Sequence, residues 1–129
     1  MVVIDASILV PVLAARWTEA RWRAADSGKE WYAVPHFHAE VMSGLRGLLL
    51  GGKLDRERAE RAVAALIATS VTLIATPALL PRMWELRHNL SPYDAAYVAA
   101  AEFLGCPLVT ADARLAAAPG IRCEVRLAS

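Results

Sequence analysis

Short runs of apolar residues recur along the chain and are separated by longer stretches in which apolar residues have helical spacing. The first run, Met-Val-Val-Ile, lacks polar alternation, which is typical of a strand buried on both faces. The pattern predicts strands over residues 1–5, 31–34, 71–74, 107–110 and, at the sheet edge, 121–125. It predicts helices over residues 6–15, 18–25, 36–50, 55–68, 78–88, 91–102 and 112–117, with a turn at 27–29.

The alternation of buried strands with helices predicts βαβ units and an α/β fold. We expect a mostly parallel central sheet of four to five strands with helices on both faces. Residues 1–129 contain no repeat, linker or low-complexity segment and should form a single domain. Because ligands of such sheets bind beyond the carboxyl ends of the strands, Asp5 and Asp112 should lie on one rim.

The helix over residues 91–102 has a clear start, and most side chains of its body are small. Ser91 fits the N-cap, and Pro92 fits the first helical position, where its missing N–H is no loss. The alanine-rich body can approach other backbone closely. Asp94 is the one acid in the first turn, and it either caps the helix or faces a site.

The composition is that of a packed globular protein without an excess of charge. Of 129 residues, 57% are hydrophobic, and the net charge of +1 argues against a generally basic surface for nucleic acids. All cations except Lys29 and Lys53 are arginines, which suit bidentate phosphate contacts, although a high-GC genome produces the same bias.

The sequence has no feature of a secreted or membrane protein. Cys106 and Cys123 are too few and too far apart for a disulfide framework or a C-x-x-C metal site, so we expect reduced, largely buried thiols in a cytoplasmic protein. No basic segment precedes an apolar one at the N-terminus, as a secretory signal requires. Residues 62–81 are uncharged, but their Ser, Thr and Pro indicate a helix end, a strand and a turn instead of a membrane span.

Four acids lie in hydrophobic sequence, where an unpaired charge is costly: Asp5, Glu40, Asp94 and Asp112. Each also has a structural interpretation. Asp5 and Asp112 suit the caps of the helices that follow them, Asp94 completes a pattern similar to a capping box, and Glu40 fits an exposed helix position. If all four meet, their charges raise one another's pKa values and destabilise the fold.

A hard divalent cation would remove that penalty, and Mg²⁺ or Mn²⁺ prefers carboxylate and water ligands. Such a site suits metal-assisted hydrolysis of phosphodiester bonds. Ser7 and Thr110 are candidates to orient the ligands, or else make only local turn hydrogen bonds. Arg46, Arg87 and Arg114 are near the acids in sequence and are candidates for phosphate contacts, with solvated surface arginine as the alternative.

Other kinds of site fit the sequence less well. His36, His38 and Glu40 would share one face of a strand and suit a transition metal, but the helical spacing after Pro35 favours a helix, where only His36 and Glu40 align. No nucleophile elbow or glycine-rich phosphate loop is present. A phosphoacceptor domain also gathers aspartates around Mg²⁺, yet it normally needs a lysine after a late strand, and both lysines lie in the first half of the chain.

Four segments carry a resemblance to a known family: Val-Ile-Asp-Ala-Ser at 3–7, Ala-Glu-Val at 39–41, Tyr-Asp-Ala-Ala-Tyr-Val-Ala-Ala-Ala-Glu at 93–102, and Leu-Val-Thr-Ala-Asp at 108–112. In this order they resemble PIN-domain proteins of the VapC toxin type over nearly the whole chain. The resemblance implies a PIN-like three-layer fold and a Mg²⁺- or Mn²⁺-dependent endoribonuclease that acts on RNA as the toxin of a toxin–antitoxin pair.

The resemblance also implies roles for the acids and a set of partners. Asp5 and Asp94 would bind the metal directly, and Asp112 would complete the metal site or act through water. Glu40 would be the fourth acid around the metal and would hold or activate the attacking water. Family members form homodimers and are blocked by a cognate, VapB-like antitoxin. The alternative is a catalytically inactive module in which the acids are helix caps and an apolar face binds another protein.

Overall fold

The structure, a computed structural model, describes residues 1–15 and 30–128 and contains one central sheet. Its strands are β1 (Val2–Ile4), β2 (Trp31–Ala33), β3 (Thr72–Leu73), β4 (Leu108–Thr110) and β5 (Val125–Leu127). They lie in the order β3-β2-β1-β4-β5, and all neighbours are parallel. The predicted α/β fold with a mostly parallel sheet is therefore confirmed. The helix predicted over 18–25 and the turn at 27–29 lie outside the described residues.

The helices form two groups that cover the two faces of the sheet. In chain order they are α1 (Ala6–Ala14), α2 (Phe37–Leu50), α3 (Arg56–Ala68), a 3₁₀-helix (Thr76–Leu79), α4 (Leu80–Glu85), α5 (Pro92–Leu104) and α6 (Ala113–Ala116). Helices α1, α2 and α3 contact one another, while α4, α5 and the 3₁₀-helix form the second group. This arrangement matches the predicted three-layer fold.

Helix α5 packs closely on the centre of the sheet because its body is made of small side chains. Residues 95–101 are all buried, and the helix contacts β1 and β4. At its start the Ser91 hydroxyl accepts a hydrogen bond from the Asp94 amide, and Pro92 occupies the first turn, as predicted. At its end Gly105 adopts a left-handed conformation with φ 66°, which suits glycine.

Two predicted elements differ from the structure. The helix predicted over 78–88 is instead a 3₁₀-helix followed by the short α4, because Pro81 lacks the N–H that a continuous α-helix from residue 76 would use. A last strand lies at the sheet edge as predicted, but it begins later than the predicted range of 121–125, since β5 is Val125–Leu127. The amide of Arg122 donates to the Glu102 carboxylate instead of to a strand, which delays the start of pairing.

The uncharged segment over residues 62–81 divides into the elements that the sequence predicts. Residues 62–81 contain the end of α3, then β3, then the 3₁₀-helix. Among the described residues, no helix is both long and apolar enough to cross a membrane. Cys106 and Cys123 are free thiols, the first buried and the second half-buried.

Candidate active site

The chain changes direction across the sheet between β1 and β4. From β1 the sheet grows through β2 to β3 on one side, whereas β4 and β5 lie on the other. In open parallel sheets, ligands bind beyond the carboxyl ends of the strands at such a switch point. Asp5 directly follows β1 and Asp112 follows β4, so the structure brings both acids to this position.

The Asp5 carboxylate is fixed from two directions and is only 7% exposed. The Thr110 hydroxyl, from the neighbouring strand, donates to Asp5 Oδ2 at 2.5 Å. The amide of Ser7 donates to Oδ1 at 3.1 Å, and the Ser7 hydroxyl donates to the same oxygen. Ser7 Oγ also accepts a hydrogen bond from the amide of Ala111. Asp5 therefore caps α1, as one interpretation of the sequence predicted, and is also tied to β4.

Burial raises the pKa of Asp5, and the charge of Asp112 raises it further. Hydrogen bonds from Ser7 and Thr110 act in the opposite direction, because they stabilise the carboxylate, yet the pKa stays above its ordinary value. The ionised form of Asp5 would therefore be favoured by a nearby cation.

Asp94 and Asp112 share one positive charge, that of Arg114. The guanidinium Nη2 of Arg114 lies 3.2 Å from Asp94 Oδ2 and 3.5 Å from Asp112 Oδ2. Asp112 also caps α6, since its Oδ1 accepts hydrogen bonds from the amides of Arg114 and Leu115. The cap of α5 is Ser91, so the carboxylate of Asp94 is available for other contacts.

Glu40 is held by a buried tyrosine and a histidine. The Tyr97 hydroxyl donates to Glu40 Oε1 at 2.6 Å, and His36 Nε2 lies 3.5 Å from the same oxygen. His36 Nε2 also lies 3.1 Å from the backbone oxygen of Tyr93. The backbone oxygen of Tyr93 can only accept a hydrogen bond, so Nε2 is the donor in that contact. Residues 37–50 form helix α2, so His36, His38 and Glu40 do not share one face of a strand, which argues against the histidine-metal alternative.

Tyr97 connects Glu40 to the other acids. Burial is the main cause that raises the pKa of the Tyr97 hydroxyl, followed by the hydrogen bond to Glu40 and its charge, and then by the charges of Asp5 and Asp94. Three of the four predicted acids thus act on one hydroxyl. Tyr97 is not among the predicted site residues, although a tyrosine in an otherwise buried helix face needs an acceptor for its hydroxyl.

The donor set suits the metal that the resemblance implies. Carboxylate oxygens are the ligands that Mg²⁺ and Mn²⁺ prefer, and the guanidinium of Arg114 already provides a cation between Asp94 and Asp112. In the part of the chain that the structure describes, however, no three His, Cys, Asp or Glu side chains are close enough to hold one ion together. The four-acid metal site therefore stays a prediction.

The three arginines predicted to contact phosphates lie in different places. Arg114 is beside the acids, as described. Arg87 lies over the ring of Trp84, with its guanidinium carbon 4.7 Å from the ring centre. Arg46 lines a groove between α2 and α3. Within residues 1–15 and 30–128, neither Arg46 nor Arg87 forms an ion pair with one of the four acids.

Comparison with known proteins gives consistent results. The PIN domain family model matches residues 2–121. The chain is 39% identical to Ribonuclease VapC1 of Mycobacterium tuberculosis over 127 residues, which covers 97% of this chain and 96% of that protein. It is also 39% identical to Ribonuclease VapC9 of the same species over 126 residues, with coverage of 97% and 96%.

Two solved structures share the fold at lower sequence identity. PAE2754 from Pyrobaculum aerophilum has a TM-score of 0.68 at 23% identity, covering 90% of this chain and 82% of that one. VapC20 of Mycobacterium tuberculosis, a sarcin–ricin loop cleaving toxin, has a TM-score of 0.63 at 21% identity, with coverage of 95% and 97%. With the buried Asp5 at the switch point and the family match over most of its length, the chain belongs to the PIN-domain family and, within it, to the VapC-type toxins.

Proposed function

We propose that the protein is the endoribonuclease toxin of a toxin–antitoxin pair and hydrolyses RNA phosphodiester bonds with Mg²⁺ or Mn²⁺. The observation that carries the proposal is the buried carboxylate of Asp5, fixed between Ser7 and Thr110 at the switch point of the sheet. Asp94 and Asp112 lie beside one shared cation, Arg114. Relatives with 39% identity are named ribonucleases, which supports RNA as the substrate.

The carboxylates of Asp5, Asp94 and Asp112 would hold the metal ion after moving closer together than they lie in the structure. When bound, the ion lowers the pKa of a water molecule and neutralises charge on the phosphoryl oxygens. Ser7 and Thr110 keep the Asp5 carboxylate in one orientation, because each donates to a different oxygen. A fixed ligand loses little conformational entropy when the site is filled.

Glu40 positions the attacking water and accepts its proton. Tyr97 and His36 both contact Oε1 of Glu40, and we assign Oε2 to the water. As the water oxygen forms a bond to phosphorus, its proton moves to Oε2 and the bond from phosphorus to the leaving sugar oxygen breaks. The leaving oxygen takes a proton from solvent.

RNA cleavage by the purified protein tests this proposal. We expect cuts in total RNA with Mg²⁺ or Mn²⁺, none with EDTA, and a loss of at least about 100-fold for Asp94→Asn, since outer-shell changes alone cost about 10- to 100-fold. Glu102→Gln is the matched control, because Glu102 lies in the same helix but pairs with Arg82. Equal cleavage by wild type and Asp94→Asn would contradict the proposal.

The alternative functions give different results. A binding module whose acids are only helix caps predicts a thermal melt unchanged by millimolar Mn²⁺. The caps made by Asp5 and Asp112 are the observation in its favour. A phosphoacceptor domain predicts covalent labelling of an aspartate by a small phosphodonor, and we expect no label.

We further propose that a VapB-like antitoxin blocks the protein and docks on the groove between α2 and α3. The groove has a volume of about 560 Å³ and is lined by apolar side chains that include Met42 and Leu49, with Arg46 and Glu60 among the polar ones. An amphipathic helix suits a groove of this kind, because its apolar face can be buried while charged residues pair at the edges.

Coexpression with the product of a short reading frame immediately upstream tests the antitoxin. We expect a complex that lacks RNA cleavage, and we expect Met42→Arg to release active toxin from it. Ile67→Arg is the control, since Ile67 is exposed on α3 but does not line the groove. A complex unaffected by Met42→Arg would place the antitoxin elsewhere. Sedimentation of the toxin alone tests the proposed homodimer.

A further inference from the structure

Tyr93 is a large aromatic side chain that lies in the open beside the candidate active site. It occupies the first turn of α5, directly before Asp94, and is 63% exposed. Nothing in the roles assigned above uses its ring. Exposing an aromatic ring to water loses the favourable free energy of burial, so its position next to a catalytic acid calls for a function.

The ring of Tyr93 is held in place by contacts with its neighbours. It packs edge-to-face on His36, with 5.4 Å between ring centres and an angle of 83°. His36 is itself fixed, because it contacts the Tyr93 backbone oxygen and Glu40 and packs edgewise on the buried ring of Tyr97. Tyr93 is therefore one residue from Asp94 and one ring away from Glu40. A planar surface fixed in this way needs little ordering when a ligand stacks on it.

We propose that the Tyr93 ring, supported by His36, is a stacking platform for an unpaired nucleobase beside the phosphate that is cleaved. This inference rests on the proposed function and adds a residue that contacts a base of the substrate. Proteins that recognise single-stranded RNA stack its splayed bases on aromatic side chains. In a duplex each base already stacks on its neighbours, so the ring has no free base face to contact. The platform therefore selects loops, bulges and single strands without reading their sequence.

Equilibrium binding tests the platform separately from cleavage. The probe is a single-stranded oligoribonucleotide that spans the cut site mapped in total RNA, with 2-aminopurine beside the cut. Binding is followed by quenching of its fluorescence in EDTA, where the RNA stays intact. We expect Tyr93→Ala to weaken binding about 5- to 100-fold and to remove the quenching, because stacking on one ring contributes about that much affinity. Tyr93→Phe should bind as wild type does, and the complementary duplex should bind more weakly and be insensitive to Tyr93→Ala.

Phe103→Ala is the matched control, since Phe103 is 64% exposed at the other end of α5. It should leave binding unchanged, and thermal melts confirm that all variants fold. In cleavage assays Tyr93→Ala should raise KM and leave kcat within a few-fold. Three results would overturn the platform: unchanged binding by Tyr93→Ala, equal losses for Tyr93→Phe, or equal losses for duplex RNA. If the wild-type protein cuts no RNA, the proposed function and the platform are both wrong. If the wild type cuts RNA and Tyr93→Ala cannot be distinguished from it, the platform alone is wrong.

Discussion

The two ends of helix α5 each carry an acid held by an arginine, and the two pairs are built differently. At the carboxyl end, Arg82 contacts both oxygens of Glu102, at 2.7 and 3.3 Å, and donates to the Gly120 backbone oxygen at 2.7 Å. The Arg82 side chain is only 18% exposed. At the amino end, a single nitrogen of Arg114 is shared between Asp94 and Asp112, and its side chain is 76% exposed.

The two arginines therefore have different roles in the structure. The guanidinium of Arg82 is enclosed by acceptors, and it joins α4, α5 and the segment before β5. Removing Arg82 would leave the mostly buried carboxylate of Glu102 without its ion-pair partner, which destabilises the fold. Arg114 makes longer contacts in water, where an ion pair contributes little. The first pair is a permanent part of the fold, and the second is one that another cation can replace.

The largest expected effect is on stability. Arg82→Ala should lower the free energy of unfolding by roughly 2–3 kcal/mol, because it breaks several charge-assisted hydrogen bonds at once. Arg114→Ala should lower it by less than about 1 kcal/mol. Urea unfolding in EDTA measures both. Similar losses for the two variants would remove the distinction between the pairs.

A smaller effect is expected on metal binding. The proposed divalent ion would compete with Arg114 for the same carboxylates. Arg114→Ala should therefore tighten Mn²⁺ binding about two- to fivefold, the factor that corresponds to losing one exposed ion pair. Titration calorimetry without RNA gives this value independently of activity. Arg87→Ala is the control, since Arg87 lies over Trp84. Weaker Mn²⁺ binding by Arg114→Ala would show that Arg114 supports the ion and does not compete with it.

The smallest expected effect is on the reactivity of the Cys123 thiol, which is influenced by Glu102 at the carboxyl end of α5. Burial, with the charge of Glu102, raises the pKa of this thiol to about 11. Its alkylation by iodoacetamide should therefore be slow at pH 7 and accelerate as the pH rises toward 11, since only the thiolate reacts. Glu102→Gln should lower the pKa by less than about one unit and speed labelling at pH 9. Peptide mass spectrometry separates Cys123 from Cys106, and Asp94→Asn should change neither rate.

The parts of the fold that depend on local sequence were predictable. The uninterrupted run of β1 indicated a buried central strand, and the Ser91-Pro92 start of α5 agrees with the structure. The edge strand was misplaced because its start is set by a long-range contact, from the Arg122 amide to the side chain of Glu102. Hydrophobic spacing contains no information about such a contact.

The acids of the candidate site could be predicted from the sequence, but the side chains that contact them could not. The prediction that Asp5 and Asp112 lie on one rim followed from their positions directly after two parallel strands. The support of Glu40 by Tyr97 did not, because the two residues are 57 positions apart and meet only where the amino ends of α2 and α5 approach each other. The bridge made by Arg114 was missed for a similar reason, since it depends on the approach of α6 to the start of α5.

The hydrogen bond from Thr110 to Asp5 has a consequence for the synthesis of the protein. Its two residues are 105 positions apart, and they meet only when β4 pairs with β1 at the centre of the sheet. A chain still on the ribosome cannot make this pairing until β4 has left the exit tunnel. Asp5 therefore lacks its hydrogen bond from Thr110 until that pairing has formed. The Asp5 side of the candidate site is therefore completed only by a pairing between distant parts of the chain, so the folding of the whole sheet comes before any activity.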